Sequence, residues 1–143
     1  MTERYVGWLN DPETVKFSEQ RHKTHTLTSC QEYVRSHVRL WAIEHRGTHI
    51  GNIAADVDHH NLVADITILL GEERGKGLGT EAFKAFSDYW AKYYRKLTCG
   101  CMSVNYGMRI IATKAGYEQE AIQDDQFLYE GGTADLVRYA RFT

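Results

Sequence analysis

The residues with the clearest capacity for chemistry are Arg74, Gly75, Lys76, Gly77, Leu78, Gly79 and Thr80. An apolar, strand-like stretch, 64–70, precedes them, and a helix-like stretch, 80–94, follows. Glycines at a strand-to-helix turn allow positive φ and let another group approach the main chain. The first turn of the following helix offers unpaired N–H groups and the positive end of a macrodipole. Such a loop suits a phosphate. Two common phosphate patterns do not fit. The only Gly-Lys pair, Gly75-Lys76, is followed by Gly77 rather than Ser or Thr, and Thr80 stands where the dinucleotide pattern needs its third glycine.

Other reactive side chains are sparse. The seven histidines show no zinc spacing with the three cysteines, so no metal site is expected. An odd cysteine count argues against a disulfide framework, and Cys99 and Cys101, sharing one face of a strand, read as small buried hydrophobes. The cytoplasm is therefore the expected compartment. At 143 residues the chain reads as one domain, 1–143, and its 43% hydrophobic and 25% charged content is that of a globular protein. A net charge of −2 gives no basic field for nucleic acid, and no apolar run has the length of a membrane span.

The elements that must position the loop follow in order. Residues 5–9 are apolar and aromatic, and Asn10-Asp11-Pro12-Glu13 reads as a helix start. A polar linker, 18–26, carries Arg21, His22, Lys23 and His25. Thr28-Ser29-Cys30-Gln31 is a capping-box pattern opening a second helix. Strands are expected at 40–44, 49–57 (broken by Gly51) and 64–70, forming a meander. The helix at 80–94 turns Phe83, Phe86 and Trp90 inward with Ala82, Tyr89 and Tyr93. A strand at 96–104 completes a crossover, so it should lie parallel to 64–70. A short helix, 105–115, closes at Gly116, and 118–128 with 134–141 form a last hairpin around Glu130-Gly131-Gly132.

Arg74-x-x-Gly77-x-Gly79, the flanking Gly71-Glu72-Glu73, Asn105 and the run Lys114-Ala115-Gly116-Tyr117 occur in an order that resembles the GNAT superfamily of N-acetyltransferases. The likeness extends from about residue 4 to the end. Trp8 to Glu13 also resembles the opening of members that acetylate amino sugars or ribosomal-protein N-termini. The resemblance implies an α/β (α+β) fold: a mixed, mostly antiparallel sheet with a parallel pair splayed at the cofactor loop and about four flanking helices. The family's first strand would lie ahead of Tyr5, where almost nothing precedes, so that strand is expected to be missing and an edge exposed.

The resemblance further implies transfer of acetyl from acetyl-CoA to a primary amine. The loop, Arg74 to Thr80 residue by residue, would hold the pyrophosphate. Leu69 and Leu70 would flank the pantetheine arm, with an N–H near Leu69 polarising the thioester carbonyl. Asn105 would contact the arm, and Arg109 either meets a phosphate or is a solvated charge. Asp65 is the leading candidate for general base, with His49 and Asp56 behind it. The tyrosine that many members use as acid is replaced by Ala112, leaving Tyr106 as a substitute or no dedicated acid. Arg21 and His22 would face the acceptor, and the basic linker favours a nucleotide-linked amino sugar. A protein N-terminus, a small amine or a non-catalytic acyl-CoA-binding role stay as alternatives. Oligomeric state, a homodimer included, is open.

Overall fold

A computed structural model describes residues 3–143. Tyr5, Trp8 and Leu9 recur at helical spacing and are buried on one side of the first helix, α1 (Glu3–Asn10). The expected helix start at Asp11 is instead a helix end. The Asp11 carboxylate accepts from Glu13 N at 3.1 Å and Thr14 Oγ1 at 2.8 Å, and those bonds hold it below the usual carboxylate range. A short 3₁₀ turn, Glu19–His22, follows, capped by Ser18. The second helix, α2 (Leu27–Ser36), begins two residues earlier than the capping-box pattern suggested. Thr26 and Ser29 form the reciprocal cap, a pair with the same three-residue spacing as Thr28 and Gln31.

Six strands follow: β1 (Leu40–His45), β2 (Thr48–Asp58), β3 (Val63–Leu70), β4 (Lys96–Met102), β5 (Glu118–Tyr129) and β6 (Gly132–Phe142). They form one sheet in the order β1-β2-β3-β4-β6-β5. The β3–β4 pair is parallel and the others are antiparallel. Gly51 does not interrupt β2. The β1–β2 pairing steps from Ile43↔Gly51 to Glu44↔His49, so Ile50 is an extra residue in a bulge. β1 is a sheet edge, and the residues ahead of α1, where the family's first strand would lie, fall outside those described.

The crossover from β3 to β4 is made by α3 (Leu78–Trp90), which stops short of the expected Tyr94 because residues 91–93 form a turn. Alternation along β3 sorts the two cores. Ala64 and Ile66 face Phe83, Phe86, Leu97, Cys99, Val137 and Tyr139 beneath α3 and α4 (Tyr106–Lys114). Leu69 faces the other way, onto Tyr5, Trp8, Leu9, Val15 and Cys30. Full burial of a side chain such as Phe83 stabilises by about 1.5–3 kcal/mol. Tyr89 and Tyr93, expected in the core, stay exposed on the outer side of the stripe.

The end of α4 is closed as the sequence suggested. Gly116 has φ +91°, Tyr117 N donates to Ala112 O at 3.0 Å and Gly116 N to Thr113 O at 3.1 Å, a Schellman arrangement. Tyr117 is thereby delivered to Ser87 of α3, hydroxyl to hydroxyl at 2.8 Å in the core. The last hairpin turns on Glu130 (φ +47°) and Gly131 (φ +76°), a two-residue loop with both φ positive.

Candidate active site

The loop between β3 and α3 has the conformation its glycines predicted. Gly75 has φ +80° and Gly77 +81°, and Gly77 is the N-cap of α3 with no side chain bonded to the helix end. The first helical bond is Glu81 N to Gly77 O, so the N–H groups of Leu78, Gly79 and Thr80 have no partner within the helix. The three glycines divide by role. A Cβ on Gly75 or Gly77 would meet nothing within 4 Å, whereas one on Gly79 would lie 3.3 Å from Ile111 and 3.5 Å from Leu70. Gly75 and Gly77 serve the backbone and the space above it, and Gly79 lets α3 seat against α4. Arg74 is drawn to Thr14 Oγ1 at 3.1 Å, joining the loop to the segment after α1. Lys76 pairs with Glu73 at 3.3 Å.

Beside the loop the sheet opens. Parallel pairing of β3 with β4 covers Val63↔Lys96, Ala64↔Leu97 and Asp65↔Thr98, and stops there. From Ile66 and Cys99 onward the strands part. Gly71 N donates to Ile50 O at 2.8 Å. The two-residue alternation of an antiparallel ladder then turns the main-chain groups of Leu69 toward its β2 partner Asn52. Ile68 and Leu70 turn theirs toward the gap. An N–H near Leu69 that faces the gap is therefore that of Ile68 or Leu70 rather than of Leu69 itself. Across the gap, Asn105 caps α4, its Oδ1 accepting from Met108 N at 3.1 Å. Arg109 donates to Tyr139 OH at 3.1 Å and Ser103 O at 3.0 Å, and the bond to Tyr139 raises its guanidinium further above the ordinary value. Tyr106 is 66% exposed on the first turn of α4.

Asp65 occupies the last paired position, at the vertex of the opening. Its Oδ1 accepts from Thr98 Oγ1 at 2.6 Å and from Arg138 at 2.9 Å. Asp56 lies directly opposite on β2. His49 is farther along, bonded through Nε2 to Asn52 Oδ1 at 2.7 Å and stacked edge-on to Trp8. Tyr5 adjoins Asn52, and burial pushes its phenol up to about 12. Thr98, Gly100 and Arg138 went unnoticed in the sequence. Arg138 is 73 residues from Asp65, and only the β4–β6 register brings it near.

Two cavities adjoin this face. One, about 630 Å³, is lined by Leu9, Val15, Lys16, His22, Lys23 and Tyr129. It joins the basic linker to the closing hairpin. Arg21 plays a different part from a free anion ligand. Only 16% of its side chain is exposed, and it donates to Ser18 O at 2.9 Å and Leu128 O at 3.0 Å. His22 pairs with Glu19 at 2.9 Å. The second cavity, about 500 Å³, is lined by Asp56, Asp58, Asp65, Arg95, Lys96 and Phe142. Among the described residues no group of three or more His, Cys, Asp or Glu could hold a metal ion.

The profile of the acetyltransferase (GNAT) domain matches residues 2–118. No curated protein matches the chain. Solved structures share the fold at low identity. RimL, the ribosomal L7/L12 α-N-protein acetyltransferase in complex with coenzyme A, has a TM-score of 0.87 at 15% identity, over 98% of this chain and 86% of that one. Spermidine N-acetyltransferase from Vibrio cholerae, with CoA and spermine, has 0.84 at 15%, over 98% and 88%. The microcin C7 self-immunity acetyltransferase MccE, with acetyl-CoA and AMP, has 0.83 at 16%, over 99% and 86%.

Proposed function

The chain belongs to the GNAT acetyltransferase family, and we propose that it acetylates the primary amine of an acceptor carrying negative charge, a nucleotide-linked amino sugar being the class we favour. The single observation that carries the site assignment is the opening of β3 from β4 beyond Asp65, beside the uncapped start of α3. The residues fit the co-substrate. The free N–H groups of Leu78, Gly79 and Thr80, with Arg74 and Lys76 beside them, suit a pyrophosphate. Ile68 and Leu70 offer main-chain groups along the gap, and Asn105 and Arg109 stand on its far side.

Acetyl-CoA supplies an activated thioester. The chain's part is to orient it and to move protons. The main-chain N–H groups facing the gap are placed to stabilise charge on the carbonyl oxygen. Asp65 takes a proton from the acceptor's ammonium, freeing the lone pair. The new C–N bond forms as the C–S bond breaks, Tyr106 supplies the proton that the departing sulfur takes, and the second proton, lost from nitrogen as the amide forms, returns to Tyr106 through solvent. The acceptor enters on the α1–α2 side. The cavity beneath the linker shares Leu9 and Val15 with the cluster around Leu69, and Lys16, Arg21 and Lys23 outnumber Glu130 in its lining, which favours an anion there. The AMP held by the similar MccE agrees with such an acceptor.

A second reading has its own observation. Asp56 and Asp58 line the cavity that Asp65 shares, which suits a cationic amine such as the spermine held by the similar spermidine acetyltransferase. An acetyl-CoA consumption screen separates them. Nucleotide amino sugars should turn over and polyamines should not. Efficient polyamine turnover with amino sugars refused would favour the second reading, and binding of acetyl-CoA without turnover of any amine would reduce the chain to an acyl-CoA-binding module.

A further inference from the structure

We infer that Arg138 is a positioning residue for Asp65, and that Gly100 is glycine so that Arg138 can reach it. The inference rests on the reading of Asp65 as the general base. Arg138 stands on β6 opposite Gly100 of β4, and Asp65 lies one strand further on, paired with Thr98. To bond Asp65 the arginine must therefore cross the whole width of β4. It does so directly over Gly100. A Cβ there would stand 2.7 Å from Arg138 Nη1 and 3.1 Å from its Cδ. At that separation something must shift, and the flexible guanidinium is what can. Any side chain at residue 100 thus closes the lane.

The geometry has a consequence for the carboxylate. Thr98 and Arg138 both bond Oδ1, from β4 and from β6, at 2.6 and 2.9 Å. Two donors from different strands fix the rotation of the carboxyl group and leave Oδ2 as the oxygen offered to an acceptor. Arg138 also sets a cation beside a carboxylate whose register partner on β2 is Asp56, where two like charges alone would repel. With 34% of the arginine side chain and 35% of the aspartate side chain exposed, the pair contributes little to stability, so its value is orientation.

The test uses Arg138→Leu, Arg138→Lys and Gly100→Ala, each also combined with Asp65→Asn. In the wild-type background Arg138→Leu and Gly100→Ala should lower kcat by about ten- to hundredfold, the scale of a misplaced catalytic group, with the KM for acetyl-CoA unchanged. Arg138→Lys should recover part of the loss. In the Asp65→Asn background the same changes should cost nothing further. A readout without ligand accompanies the kinetics: the Arg138 guanidinium protons should exchange faster with solvent in Gly100→Ala and in Asp65→Asn than in wild type. A full rate in Arg138→Leu, or an equal loss with and without Asp65, overturns the inference. If Asp65→Asn alone keeps full activity, the base reading fails. In that case guanidinium exchange that still responds to Gly100→Ala upholds the lane, and exchange that does not respond removes it.

Discussion

Replacing Gly77 by alanine should separate what its backbone needs from what the ligand needs. Gly77 sits at φ +81°, and a Cβ there meets nothing within 4 Å. In the free protein the cost is therefore conformational alone, roughly 1–2 kcal/mol for an L-residue in the left-handed region. For a chain of this size that corresponds to a fall in Tm of about 3–8 °C. On the proposed placement of the pyrophosphate, the methyl group would instead occupy the space through which a phosphate reaches the N–H groups of Leu78 and Gly79. Hydrogen bonds to charged groups contribute about 1.5–3 kcal/mol each. Losing the geometry of two of them should weaken coenzyme A binding by about 3 kcal/mol or more, roughly a hundredfold. Calorimetric titration with coenzyme A, beside a thermal melt of the same variant, measures both quantities. A variant that melts as expected yet binds coenzyme A within a factor of about two of wild type would refute the placement of the phosphates.

Three further outcomes follow from named contacts. Tyr117→Phe removes the partner of the fully buried Ser87 hydroxyl and should cost about 1–3 kcal/mol in chemical denaturation without altering the KM for acetyl-CoA. Burial pushes the Cys99 thiol up to about 12 and Cys101 up to about 11, so a thiol reagent at pH 8 should label neither until the protein is unfolded. Both folded values lie above the ordinary 9.0, so the stability they contribute is whole below that pH and is lost as pH rises toward 11–12; an alkaline series of urea midpoints should fall in that window. Arg21→Ala cuts the bond to Leu128 O that ties the 3₁₀ turn to the hairpin, together with the bond to Ser18 O that braces the side chain, and should raise the acceptor's KM about tenfold, with that of acetyl-CoA unmoved, because the bonds of Arg21 lie away from the glycine loop.

Glycine made the loop legible. At Gly75, Gly77, Gly116 and Gly131 the residue type encodes a positive φ, so turn, helix stop and hairpin could be placed without knowing the fold. The parallel β3–β4 pair was equally accessible, because a strand–helix–strand crossover admits few arrangements. Polar side chains near helix ends were less informative. Asp11 makes cap-like bonds after a helix rather than before one, and the Thr26–Ser29 and Thr28–Gln31 pairs look alike until the chain chooses. At the site, Asp65 and the loop were visible because they lie on one continuous stretch. The surroundings of Asp65 were not, since Arg138 and Gly100 become neighbours only through pairing across β4 and β6. Arg21 reads in the sequence as a charge facing the acceptor, and sequence does not reveal that backbone oxygens at Ser18 and Leu128 already occupy it.

The most direct test of the account is residue-resolved amide hydrogen exchange with and without coenzyme A. The proposed function would put the arm between β3 and β4 and the phosphates at the start of α3. The amides of Ile68, Leu70, Leu78, Gly79 and Thr80 should therefore gain protection on binding, while Leu69, already paired with β2, should change little. Protection that appears elsewhere, with the amides of Ile68 and Leu70 and the first turn of α3 left exchanging as in the free protein, would contradict it.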